Sequence, residues 1–224
     1  LAKNAKSATA KKVAVIGLGR FGSALALELM DTGKEVLGID STDSVVQQYA
    51  PLLTLVVKAD TTNRDVLDEL AIVDFDRVVV AIGDDIESSI LTASLLIEIG
   101  VKEVWAKATS DSHGRILHQL GVHHVVFPEK DMGKRIAHQV GGDQLDYVEI
   151  DEGFVMAKTA AADSFVNKSL SDLGFRPKYN VIVVATSHGD VKYKAATPDT
   201  IISEGDWLIV AGAKDAIEKF CQVV

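Results

Sequence analysis

Three glycines, an arginine and an aspartate are the residues whose types and spacing promise chemistry. Gly17, Gly19 and Gly22 stand in Val13-Ala14-Val15-Ile16-Gly17-Leu18-Gly19-Arg20-Phe21-Gly22, the G-x-G-x-x-G spacing. A second apolar run, Lys34-Glu35-Val36-Leu37-Gly38-Ile39-Asp40, ends on an acid 21 positions after Gly19. A strand, a glycine loop, a helix and an acid in that order describe a phosphate cradle of the dinucleotide type. Gly17 lets the chain turn sharply, Gly19 lets backbone approach a phosphate, and Gly22 lets the helix pack closely on the strand. The helix N-terminus then offers N–H groups and partial positive charge to an anion. Asp40 accepts hydrogen bonds from ribose hydroxyls and repels a 2′-phosphate, which disfavours NADP. A glycine turn that binds nothing is the alternative. Arg20 stands where the helix begins, and its guanidinium suits bidentate phosphate contacts. It tilts the ligand toward ATP or ADP, against the alternative of a solvated arginine.

Other strand ends point to the same crevice. Asp60, in Lys58-Ala59-Asp60-Thr61-Thr62, stands where an adenine amine would donate to it; otherwise it caps the helix containing Val66 and Leu67. Gly83, in Ala81-Ile82-Gly83-Asp84-Asp85, lets backbone come near phosphate or ribose. Asp84, Asp85 and Glu87 suit a helix dipole first and a metal second. Lys107, in Lys107-Ala108-Thr109, either pairs with a ligand phosphate or is a solvated lysine. The histidines do not suggest zinc: His123 and His124 are adjacent, and His113 and His118 are five apart. Cys221 sits in the closing helix and reads as packing, and no nucleophile with its base can be assembled.

These residues need a scaffold, and the hydrophobic pattern supplies one. Strands are predicted at Val13–Ile16, Val36–Asp40, Thr54–Lys58, Arg77–Ile82, Glu103–Lys107 and His124–Phe127. Helices are predicted near Gly22–Thr32, Ser44–Ala50, Asn63–Leu70, Glu87–Gly100 and Ser112–Leu120. Such alternation predicts an α/β fold, a Rossmann-like doubly wound parallel sheet of order 3-2-1-4-5-6. A polar helix from about Asp131 to Val140 follows Pro128, and Gly141-Gly142-Asp143 breaks it. Beyond it strands are predicted at Tyr147–Ile150, Phe154–Ala161, Val181–Ser187, Lys192–Ala195 and Trp207–Ala211, with helices near Ser169 and over Asp215–Cys221. The expected organisation is a flexible tail over 1–11, a nucleotide-binding domain over 12–143 with a hinge helix at 131–140, and a small α+β domain over 144–224.

Composition narrows the class. Of the 224 residues 47% are hydrophobic, enough for two cores, and no run reaches the length of a membrane span. A net charge of −9 and a pI near 5.1 argue against nucleic acid as a main partner. A single cysteine excludes an internal disulfide and fits a reducing cytoplasm. The Ala/Lys/Ser/Thr-rich start has no hydrophobic signal core.

Taken together, Val13–Gly22 with Arg20, Asp40, Ala81-Ile82-Gly83, Lys107-Ala108 and Pro128-Glu129-Lys130-Asp131-Met132-Gly133 closely resemble the RCK (KTN) regulatory subunits of bacterial Trk/Ktr potassium uptake systems. The closing run Ile201–Gly212 resembles the end of that family's C-terminal subdomain, TrkA-C. The resemblance implies a non-enzymatic regulatory subunit on the cytoplasmic face of a membrane-embedded potassium translocator, with homodimers assembled into an octameric ring. It implies ATP, ADP or NAD(H) in the Rossmann-like lobe, with Arg20 reaching terminal phosphates in a neighbouring subunit. Glu129 would help place Mg2+ or Ca2+ at the nucleotide dimer interface. Asp40, Ser41, Asp60 and Thr61 match ribose and adenine positions; Phe21, Ile82, Gly83, Lys107, Thr109 and His113 match positions around the pocket. Arg176, Asn180 and Pro198 match places where relatives bind cyclic di-AMP, although Pro177 departs from the better-matched ones; dimerisation alone is the other reading of that domain. ATP is expected to favour a conducting ring and ADP a closed one. An NADH-binding redox sensor is the nearer alternative, an NAD-dependent dehydrogenase or a plain adaptor the more distant ones.

Overall fold

The computed structural model describes residues 11–140, 146–151, 153–189 and 192–223. The chain forms two compact units, one up to Glu129 and one from Lys130 on. The expected tail, Lys11 apart, and the expected boundary between residues 143 and 144 lie outside the described residues.

In the first unit strands and helices alternate: β1 (Lys12–Ile16), α1 (Arg20–Asp31), β2 (Glu35–Asp40), α2 (Asp43–Tyr49), β3 (Leu55–Lys58), α3 (Arg64–Glu69), β4 (Arg77–Val80), α4 (Ile86–Glu98), β5 (Val104–Lys107), α5 (Asp111–Gln119) and β6 (His124–Val126). The strands pair in parallel in the order β3-β2-β1-β4-β5-β6, the expected doubly wound order. Successive side chains of a strand point to opposite faces, so each face collects every second residue. Ala14, Ile16, Leu37, Ile39, Val78 and Val80 pack with Leu67, Leu96 and Leu117 of α3, α4 and α5. Val13, Val15, Val36 and Val79 join Ala26 of α1 in a second cluster. Burial on both faces is why these strands read as continuous β-branched runs rather than alternating ones. Each Val, Leu or Ile side chain among them removed from water contributes about 1.5–3 kcal/mol.

A helix α6 (Pro128–Val140) begins three residues earlier than the expected Asp131. Pro128 is its first residue, where the missing N–H costs no bond and the fixed φ suits a helix. Glu129 is thereby placed on a helical first turn rather than in a connecting loop.

The second unit contains β7 (Asp146–Asp151), β8 (Phe154–Ala160), α7 (Leu170–Leu173), α8 (Phe175–Tyr179), β9 (Val181–His188), β10 (Lys194–Ala195), β11 (Asp206–Ala213) and α9 (Lys214–Cys221). Its antiparallel sheet runs β10-β9-β11-β8-β7. Ser169 caps α7, its hydroxyl accepting from the Asp172 N–H at 3.1 Å. The five-residue α8 is an addition to the expected elements and accommodates Pro177; the proline stands third in the helix, where the N–H has no intrahelical partner to lose. Phe165, Phe175 and Phe220 meet in the core, with Phe175 and Phe220 centroids 5.6 Å apart at an edge-on angle.

Candidate nucleotide cleft

Where the sheet order reverses, at the carboxyl ends of the first four strands, a cleft of about 350 Å³ opens. The glycine loop forms one side. Gly17 has φ +89°, a conformation that penalises any Cβ, and its N–H donates to the Ile39 carbonyl at 2.7 Å. Gly22 has no room for a side chain: a Cβ there would lie 1.9 Å from the Gly17 carbonyl oxygen. Gly19 is the reverse case, because a Cβ there would meet nothing within 4 Å. Gly19 caps α1 without any side-chain hydrogen bond, and the first turn holds no acid. The N-terminal amides of α1 are therefore left available for an anion at the Gly19 side of the cleft.

Acceptors form the other side. Asp40 holds the glycine loop itself: one carboxylate oxygen accepts from the Leu18 N–H at 2.8 Å, the other from the Thr42 N–H at 2.9 Å. Asp60 ends its strand the same way, accepting from the N–H and hydroxyl of Thr62 at 3.0 and 2.7 Å. These Thr62 bonds, the hydroxyl's first, hold the Asp60 carboxyl below its ordinary value. Asp60 is not a helix cap. Asn63 takes that position, accepting from the Asp65 N–H at 3.0 Å. Thr61 bonds Thr92 of α4, hydroxyl to hydroxyl, at 2.9 Å. Asp85 caps α4 through Ser88, and those bonds hold its carboxyl low.

Of the expected site residues, Gly17, Gly19, Asp40, Ser41, Asp60, Thr61, Ile82 and Gly83 line the cleft together. A second group stands beside it. The Lys107 ammonium lies 2.6 Å from a Glu129 carboxylate oxygen and 5.9 Å from the Phe21 ring centroid. A Cβ on Gly83 would lie 3.0 Å from the same ammonium, so Lys107 backs directly onto the cleft lining. The side chain of Lys107 is 11% exposed and that of Glu129 63%, so Lys107 is a buried cation rather than a solvated lysine. The Lys107 hydrogen bond, with a smaller contribution from the charge of Arg20, holds the Glu129 carboxyl below its ordinary value. Phe21 also lines an apolar groove with Leu25, Val79, Trp105 and Pro128.

Thr109 and His113 do not line the cleft. His113 is buried, its Nδ1 3.4 Å from the Thr109 N–H nitrogen and hydroxyl, its Nε2 without a partner, and burial lowers its pKa. His123 accepts from the Val104 N–H, and His124 stacks on Trp105 at 4.0 Å. Among the described residues no three His, Cys, Asp or Glu side chains converge as a metal set. In the second unit Arg176 is exposed on α8, Asn180 ends that helix at φ +55°, and the Pro198 carbonyl accepts from the Ser171 N–H.

Thr42, Val45, Thr62 and Ser88 also line the cleft and were not anticipated. The signal for two of them is a repeated Asp-x-Thr, Asp40-Ser41-Thr42 and Asp60-Thr61-Thr62, a turn in which the aspartate accepts from the N–H two residues on.

Residues 13–128 match the TrkA-N domain and residues 155–224 the TrkA-C domain. The chain is 38% identical over 211 residues to the Ktr system potassium uptake protein C of Bacillus subtilis, spanning 94% of this chain and 96% of that protein. The chain belongs to the TrkA/Ktr family. Another relative of this TrkA/Ktr-family chain is the Ktr system potassium uptake protein A of Vibrio alginolyticus, 35% identical, with 92% of this chain and 94% of that protein covered. The RCK domain of GsuK superposes with a TM-score of 0.51 at 21% identity, over 95% of this chain and 46% of that one, which establishes the shared fold. GsuK itself has been crystallised bound to ADP and also solved bound to NAD. Among the described residues no helix is long and apolar enough to cross a membrane.

Proposed function

We propose that this chain is a nucleotide-sensing, non-enzymatic regulatory subunit of a potassium transport system. The observation that carries this reading is the pairing of an uncapped α1 N-terminus with the acceptors Asp40 and Asp60 across one cleft. Phosphate belongs at the first and a ribose and base at the second. The near end-to-end match to Ktr uptake proteins supplies the transport setting. ATP and ADP are the proposed ligands, with Gly17, Gly19 and the first turn of α1 holding phosphate and Arg20 meeting the terminal charge. NADH is the alternative ligand, read as a redox signal.

Glu129 fits a divalent cation only in company. It is one carboxylate, and Mg2+ is commonly held by one or two carboxylates together with substrate phosphates. Mg2+ or Ca2+ would therefore take its remaining oxygens from phosphate and from a second copy. On this reading homodimers build an octameric ring on the cytoplasmic face of a membrane translocator, and loss of the terminal phosphate relaxes the ring. Differential contacts of ATP and ADP in two ring shapes are what such a switch requires. The exposed guanidinium of Arg176 supports cyclic di-AMP contact at Arg176, Asn180 and Pro198 in the second unit.

A ligand that binds only the folded state raises its stability. Thermal unfolding with ATP, ADP, NADH and NAD, each with and without Mg2+ or Ca2+, tests the proposal. A larger, cation-dependent shift with ATP that Arg20→Ala abolishes is the expected result. A preference for NADH indifferent to Arg20 replaces the triphosphate gate with a redox sensor. No shift with any nucleotide overturns the nucleotide reading.

A further inference from the structure

Lys107 raises a question of charge. A buried ammonium needs an anionic partner, because removing it from water costs more than packing returns. Glu129 meets that need at 2.6 Å from the first turn of α6. The same ammonium lies against Gly83, a residue of the cleft lining with no side chain to cover it. A carboxylate thus holds the cation that backs the Gly83 side of the cleft, and it is 63% exposed, free to swing into water.

We propose that Glu129 is a built-in competitor for the phosphate site, its carboxylate occupying the Lys107 ammonium until a nucleotide phosphate takes that charge over. The inference rests on the nucleotide reading above and adds an order of events to it. Phosphate arrives, Lys107 exchanges one anion for another, and the Glu129 carboxylate is released. A released carboxylate beside bound phosphate repels it, and a divalent cation bridging the two removes that repulsion. Cation and nucleotide are then coupled through Glu129 by exchange of partners at Lys107.

The test is calorimetric titration of the full chain with ADP, and separately with inorganic pyrophosphate, in EDTA. Glu129→Gln removes the competing charge and keeps the side-chain shape, so it binds both anions about three- to fivefold more tightly than wild type, the range of a partly exposed ion pair. Lys107→Met weakens binding, and the gain from Glu129→Gln shrinks when the two are combined. Mg2+ strengthens ADP binding to wild type more than to Glu129→Gln. If wild type binds ADP but Glu129→Gln binds equally or less tightly in EDTA, the competitor is overturned and the nucleotide reading stands. A gain that persists undiminished in the Lys107→Met background also overturns it. If wild type, with a normal unfolding transition, binds neither ADP nor ATP with or without Mg2+, both readings fall.

Discussion

Replacing Gly22 by alanine tests whether the glycine loop is held by packing or merely tolerated by it. The added Cβ would stand 1.9 Å from the Gly17 carbonyl oxygen, and real Cβ atoms essentially never come under 3.0 Å, so one of the two backbones must retreat. Neither has space. Gly17 is backed by the Ile82 amide nitrogen and the Ala81 carbonyl carbon, at 3.1 and 3.2 Å from its own notional Cβ, and its N–H is committed to Ile39. Gly22 is itself buried in α1. Ordinary overpacking costs about 1–3 kcal/mol. A backbone clash with both sides confined belongs at or beyond the top of that range, about 3 kcal/mol, which lowers the melting temperature of a unit this size by roughly 10 °C. Trp105 lies in the first unit and Trp207 in the second, so thermal unfolding followed by Trp105 fluorescence in a Trp207→Phe background reports the relevant transition. Gly19→Ala is the matched control: it meets no atom within 4 Å at an ordinary φ of −64°, and it costs less than about 1 kcal/mol. It nevertheless puts a methyl group where phosphate is proposed to approach, and weakens nucleotide binding. A Gly22→Ala protein as stable as wild type, or a Gly19→Ala protein with undiminished nucleotide affinity, would refute the reasoning.

Other outcomes follow from the same geometry. Asp40→Asn leaves either the Leu18 or the Thr42 N–H facing an amide NH2 instead of a carboxylate oxygen; it should cost about 1–3 kcal/mol in urea unfolding, besides weakening nucleotide affinity. His113 has a folded pKa below its ordinary 6.5 because burial disfavours its charged form, so the unfolded chain binds the proton first as pH falls. Its contribution is therefore complete above about pH 6.5 and is lost as pH falls toward the lowered folded value. His113→Leu should flatten that part of the stability–pH curve; at pH 7.5 Nε2 has no hydrogen bond to lose, but the Thr109 N–H loses its Nδ1 acceptor, at a cost of about 1–3 kcal/mol. An unchanged acid slope in the leucine variant would count against the buried neutral imidazole.

The sheet was legible because its residues are used twice over. Runs such as Val13–Ile16 and Val78–Val80 are apolar at every position, as a strand covered on both faces must be, and helices of ten or so residues between them leave a parallel order with crossovers. The glycine loop was legible because its steric demands are local: Gly17, Gly22 and their neighbours lie within a few positions. Lys107 was not legible in the same way. Whether a lysine at a strand end is solvated or buried depends on what the chain brings to it 22 residues later, and Glu129 arrives only because α6 starts at Pro128. The proline that precedes the expected helix from about Asp131 is that helix's first residue. Asp60 shows the opposite limitation: aspartate is a good cap and a good turn former, and only the position of Asn63 three residues on decides which role is taken.

The two Asp-x-Thr turns set against the bare start of α1 give the cleft a polarity. Free donors gather at its glycine end, and the carboxylates of Asp40 and Asp60 stand at its strand-two and strand-three end, with Asp84 and Asp85 lining it beyond the fourth strand. A molecule with a negative head and a hydroxyl- or amine-bearing tail has one orientation in which every group meets its complement. Turned end for end, its head meets Asp40 and Asp60 and its tail competes for nothing. The cleft thus works as a directional socket. If the proposed nucleotide binds there, its terminal group would be delivered to the same end each time.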